Sequence, residues 1–168
     1  MRKKQFAILA NASERERATR EEFARQFRSC PIPEKELLTN LPLFLKRQDL
    51  SHILFLQEVY AHVLPVHGDI MEFGVRWGRN LALFSALRGI HEPFNHNRKI
   101  IGFDTFAGFP AIDRKDGTHA VVRERAYGVT RGYESYLEKI LAYHEQESPI
   151  AHIRKFELVK GDATRTIG

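Results

Sequence analysis

The chain has 168 residues, room for one domain at about 100–200 residues each and crowded for two. Apolar residues make up 43 % and charged residues 28 %. That balance excludes wholesale disorder, and no apolar run approaches the roughly 18 residues of a membrane-spanning helix. The net charge of +5 is concentrated at the start, where residues 1–28 hold eight basic and four acidic side chains. Their mixed signs read as a solvated helix rather than a nucleic-acid-binding face, so no nucleic-acid partner is expected, and with no long apolar run no membrane partner either. The lone cysteine, Cys30, excludes an internal disulfide and a cysteine-rich zinc site.

Residues 6–10 form a five-residue apolar patch behind Arg2, Lys3 and Lys4, shorter than the roughly 7–15 residues of a secretory signal core. A cytoplasmic protein is therefore expected, and the acceptor pattern Asn11-Ala12-Ser13 is idle. Ser13 followed by Glu16 is a capping box that opens a polar helix running to about Arg28. Pro31 and Pro33 stop it. A loosely helical stretch follows, interrupted at Pro42. A firmer helix over 51–64 then places Ile53, Leu56, Tyr60, Val63 and Leu64 on one face. Residues 1–64 read as a helical lid or cap region, and 65–168 as a separate α/β part.

That second part begins with a short apolar run at 69–75, read as a buried strand. A helix covers 81–87, nearly apolar all round, with Gly89 placed to cap it. After a polar loop at 91–98, a second strand runs from Ile100 to Asp104. Residues 106–130 lack a period and read as an irregular excursion. Tyr133, Tyr136, Leu137, Ile140, Leu141 and His144 then mark a strongly amphipathic helix, with both tyrosines expected in the core. A third strand at 156–160 leads into Gly161 and Asp162. Strand, helix, strand, helix, strand is the first half of a doubly wound, Rossmann-like parallel sheet, with strand order 3-2-1.

Three strand ends then share one rim, where ligands of such folds bind. The first carries Glu72-Phe73-Gly74-Val75-Arg76-Trp77-Gly78. Gly74 permits a tight turn, and Gly78 leaves room for a ligand at the start of the next helix. Asp104 ends the second strand and can accept two ribose hydroxyls; the alternative is a turn cap for the Thr105 segment. Asp162 ends the third and can take a bond from an exocyclic amine, although Gly-Asp is also ordinary turn chemistry. Glu72 is either a structural carboxylate or, two residues before the first glycine, a partner for an ammonium group through water. Together these residues describe a nucleoside pocket. A dinucleotide fingerprint would need glycine where Arg76 stands, which favours S-adenosylmethionine, a cofactor without phosphates. Arg76, Trp77 and Arg79 line the first turn, within reach of a cofactor carboxylate or on the surface.

The segments Gly68-Asp69-Ile70-Met71-Glu72-Phe73-Gly74-Val75, Ile101-Gly102-Phe103-Asp104-Thr105-Phe106-Ala107-Gly108-Phe109-Pro110 and Leu158-Val159-Lys160-Gly161-Asp162-Ala163 resemble, in that order, the macrocin O-methyltransferase family. The likeness covers roughly residues 50–168. It implies a class I S-adenosylmethionine-dependent enzyme acting on a hydroxyl of a sugar or natural product. The cofactor would be held by Glu72, Gly74, Gly78, Asp104 and Asp162, with Thr105 and Ala163 beside the two aspartates. The family pattern has an acidic residue where this chain has Ala107. Magnesium is implied as well, held by acidic residues after a fourth strand that this sequence does not reach, so the chain reads as a fragment or a half-domain. With no fourth strand, the first strand's edge is expected to lie open, giving marginal stability or self-association into a homo-oligomer. The rival readings are an interaction module working through that edge and a nicotinamide-dependent oxidoreductase. The eight histidines include no His-x-x-x-His pair, so no zinc site is expected.

Overall fold

The computed structural model describes residues 12–109 and 126–167. The signal-like patch at 6–10, Asn11, and most of the excursion at 106–130 lie outside them. The chain divides between His52 and Ile53 into two compact units.

In the first unit, helix α1 (Glu14–Arg28) opens on the expected capping box: the Ser13 hydroxyl accepts the Glu16 N–H, and the Glu16 carboxylate accepts the Ser13 N–H. One face of α1 is pinned by aromatic contacts, with the Phe23 and Phe27 rings 6.1 and 4.8 Å from that of Phe44. Phe44 closes a 3-10 turn, Leu41–Phe44, that takes in Pro42 and follows the short helix α2 (Glu34–Leu37). Helix α3 (Arg47–Val63), most of which belongs to the second unit, starts before residue 51, the expected position. Of its anticipated face Leu56 and Tyr60 are buried, whereas Leu64 falls beyond the helix end and is exposed.

The second unit is built on three parallel strands, β1 (Ile70–Phe73), β2 (Ile100–Asp104) and β3 (Phe156–Lys160), in the order β1-β2-β3. Read from the other edge this is the expected 3-2-1. Helices α4 (Arg79–His91) and α5 (Tyr133–Gln146) make the crossovers. Ile70, Ile100 and Phe156 stand in register and meet Leu81 of α4 and Leu137 and Leu141 of α5 in one apolar cluster. Because side chains alternate along a strand, Met71 and Phe73 point to the other face, where they are 53 % and 55 % exposed.

Several expectations need correction. Strand β1 is shorter than 69–75, because Gly74 turns out of it at φ +83° and Asp69 instead accepts the Lys99 N–H at 2.8 Å. Gly89 lies inside α4, which runs one turn further to His91. Tyr136 is exposed rather than core, since α5 buries only Leu137, Leu141 and Glu145. Among the described residues no helix is long and apolar enough to cross a membrane.

Candidate functional site

The carboxy ends of the three strands are tied together through the main chain. Gly74 N–H donates to Phe103 O, and Gly161 N–H donates to Asp104 O, each at 2.9 Å. Asp104 is the centre of the rim. Its Oδ2 accepts the Arg76 N–H at 2.7 Å, and its Oδ1 accepts the Phe106 N–H at 2.6 Å. The two donors belong to different turns, and both residues are left-handed, at φ +52° and +55°. A carboxylate has about four acceptor positions, so these two bonds fix the plane of Asp104 and leave a lone pair on each oxygen.

Around Asp104 lies a cavity of about 400 Å³, within the size range of small-ligand sites. Gly74, Asp104, Thr105, Asp162 and Ala163, all expected from the sequence, line it. Gly74 has nothing within 4 Å of the position a Cβ would take, so its backbone forms an open wall. Asp162 does what the turn alternative anticipated: Oδ1 accepts the N–H and the hydroxyl of Thr164 at 3.0 and 2.8 Å, capping the short helix α6 (Ala163–Thr166). Those bonds hold its carboxyl below the usual range and leave Oδ2 unengaged. Thr105 shapes its own loop, donating to Gly108 O at 2.6 Å.

Two expected residues stand elsewhere. Gly78 does not open a path for a ligand. A Cβ there would come within 2.3 Å of the Leu137 side chain, so α5 occupies the space, and the glycine serves close packing and a left-handed φ of +73°. Glu72 is set back from the cavity wall. Its Oε1 accepts from Asn80 at 2.9 Å, while Oε2 is buried without a hydrogen-bond partner. Burial pushes its carboxyl up, aided by the charge of Asp104 and opposed by the Asn80 bond.

Phe109, quoted only within the family-like segment, and Tyr127, not singled out at all, also line the cavity. Their rings meet edge to face at 5.7 Å, and both sit in the stretch without period, marked only by the neighbouring Gly108 and Gly128. Arg76 lies across the cavity wall with its guanidinium 5.2 Å from the Tyr127 ring centre. Among the described residues there is no cluster of three or more metal-ligating side chains.

No family model matches the sequence, and no curated protein matches it. Solved structures do. CalS11, a calicheamicin methyltransferase, shares 38 % identity with a TM-score of 0.90, covering 98 % of this chain and 66 % of that one. The apo structure of CalS11, described as a TDP-rhamnose 3'-O-methyltransferase of calicheamicin biosynthesis, shares 38 % identity with a TM-score of 0.77, covering 94 % and 60 %. The chain therefore spans somewhat less than two thirds of the length of these neighbours. Its helices and three-stranded parallel sheet form a Rossmann-like fold of the methyltransferase type.

Proposed function

We propose that this chain carries the cofactor-binding part of an S-adenosylmethionine-dependent O-methyltransferase, acting on a hydroxyl of a sugar or natural product and close to the macrocin O-methyltransferase family. The observation that carries the reading is Asp104, a strand-end carboxylate oriented by two main-chain N–H groups with a lone pair to spare on each oxygen. Two adjacent ribose hydroxyls match that arrangement. The methyltransferase fold and the 38 % identity to CalS11 support it.

In this reading the base lies against Gly161, Asp162 and Ala163, with Asp162 Oδ2 taking the exocyclic amine. The sulfur end passes the bare backbone of Gly74, and Glu72 answers the ammonium group through water. Gly78 and Thr105 act at one remove, by shaping the turns. The bound cofactor supplies a methyl group already activated on a sulfonium, so the chain's task is to hold it in line with the acceptor oxygen at near-attack distance. A cytoplasmic location and a small-molecule acceptor belong to the same proposal.

The test uses Trp77, the only tryptophan, which stacks edge to face on Tyr133 at 4.8 Å and adjoins Arg76. Titration with S-adenosylhomocysteine should give a saturable fluorescence change that NADH does not. Asp104→Ala should weaken binding by roughly 30- to 100-fold, the worth of charge-assisted hydrogen bonds. No change in a folded protein would overturn the reading. Strand β1 ends the sheet among the described residues, which favours a second reading, an interaction module that self-associates along that edge. A concentration-dependent dimer in sedimentation, in a protein that ignores S-adenosylhomocysteine, would select it.

A further inference from the structure

Arg76 is the only cation on the cavity wall among the described residues. It has no ion-pair partner there, and its Nε is buried without a hydrogen-bond acceptor. A buried donor left unpaired is costly. The backbone adds to the cost, since φ is +52° and a glycine would make the same turn without strain. What this position offers beyond its backbone is therefore the guanidinium. Tyr127 lies against that group at 5.2 Å. A ring offers the guanidinium a π face but no charged acceptor, so its N–H groups stay available to a carboxylate.

Strand order, combined with the proposed cofactor placement, says which end of the ligand would meet it. The sites run from the turn after β1, through Asp104 at the end of β2, to Asp162 after β3. If the base lies by Asp162 and the ribose on Asp104, the part of the ligand beyond the ribose extends towards the turn that holds Gly74 and Arg76. We infer that Arg76 anchors the carboxylate of the cofactor's amino-acid end, with Nε and one terminal nitrogen making a forked pair of bonds. The inference rests on the cofactor reading above. It makes Arg76, the residue that breaks the dinucleotide fingerprint, a determinant of specificity for a cofactor that ends in an amino acid.

Calorimetric titration with two ligands tests it: S-adenosylhomocysteine, which has the carboxylate, and 5'-methylthioadenosine, which lacks the amino-acid end. Arg76→Gly relaxes the left-handed backbone and should stay folded, which thermal melting checks. It should lose roughly 10- to 100-fold in affinity for S-adenosylhomocysteine and bind 5'-methylthioadenosine as the parent does. Arg76→Lys keeps the charge without the fork and should recover part of the loss. Equal losses on both ligands would mark a structural role and overturn the inference. So would undiminished S-adenosylhomocysteine binding, including the case where Arg76→Gly only abolishes competition by thymidine diphosphate, a sign that the guanidinium meets an acceptor's phosphate. A parent protein that binds neither adenosine ligand would instead overturn the cofactor reading itself.

Discussion

At the amino ends of the strands, the buried charged side chains are joined in ion pairs, although Arg88 Nε stays without an acceptor. Lys155, just before β3 and wholly buried, bonds Glu145 Oε1 at 2.5 Å and the carbonyls of Ile150 and Ile153 at 3.0 and 2.6 Å. Glu145 also takes Arg88 at 2.8 Å and the Lys155 N–H at 2.9 Å. Burial raises its carboxyl, but these bonds outweigh it and hold the group below its ordinary range. Before β2, Arg98 bonds Glu92 and the carbonyls of Val66 and Gly68 at 2.7–2.8 Å, and Tyr60 donates to the same Glu92. The carboxy ends of the same strands are different. Arg76, Phe106 and Tyr127, the left-handed non-glycine residues among those described, all lie along that rim, and Glu72 and Arg76 each keep a buried atom unbonded. Strain and unmet bonds persist where surrounding structure over-determines them, which is characteristic of ligand sites. One end of the sheet is held by buried ion pairs, and the other gathers the strained backbone around the cavity.

The largest effect should come from breaking the satisfied end. Glu145→Ala strands the buried Lys155 and Arg88 without a counter-charge, a loss of about 3–5 kcal/mol, read as a lower urea midpoint. Because the change lies at the opposite end of the sheet from the cavity, the molecules still folded should bind S-adenosylhomocysteine with unaltered affinity. A binding loss without a stability loss would erase the distinction between the two ends.

Two glycines of one turn sharpen it. Gly78 and Gly74 are both left-handed, but Leu137 fills the space over the first and nothing stands over the second. Gly78→Ala should cost roughly 2–4 kcal/mol, summing backbone strain and overpacking, with little change in ligand affinity. Gly74→Ala should cost only the strain, about 1–2 kcal/mol, and should reduce affinity because its methyl group enters the cavity. Paired melting and titration curves separate the two.

The order of strands and helices was legible because each buried strand is a short apolar run and α5 has a clean helical period. The strand-end carboxylates Asp104 and Asp162 were legible for the same reason: once the strands were placed, the rim followed. What one end of a side chain touches was not. Gly78 reads as a ligand-facing glycine from spacing alone, and only the approach of Leu137, 59 residues away in sequence, shows that it serves packing. Phe109 and Tyr127 reach the cavity from a stretch that shows no period and carries three glycines and Pro110. Tyr136 falls on the apolar stripe of α5, yet the helix buries the neighbouring Leu137 and leaves Tyr136 exposed.

The smallest effect, and the one that sets the two ends most directly against each other, concerns Glu72. Its carboxyl in the folded chain is raised by burial, whereas that of Glu145 is lowered. A raised carboxyl favours folding most below its unfolded pKa, and that contribution is lost as pH rises through the folded pKa. Ionised Glu72 therefore burdens the free protein at neutral pH. Glu72→Gln should raise the urea midpoint at pH 7, and the gain should shrink towards zero as pH falls to the ordinary carboxylate range. Ligand affinity should move the other way. If Glu72 answers the ammonium group of S-adenosylhomocysteine, the parent should bind more tightly as pH rises through the pKa of Glu72 and should release protons on binding. Glu72→Gln should bind more weakly and lose that pH dependence. A variant that gains stability and keeps full, pH-dependent affinity would leave Glu72 as a strand-end carboxylate with no part in the site.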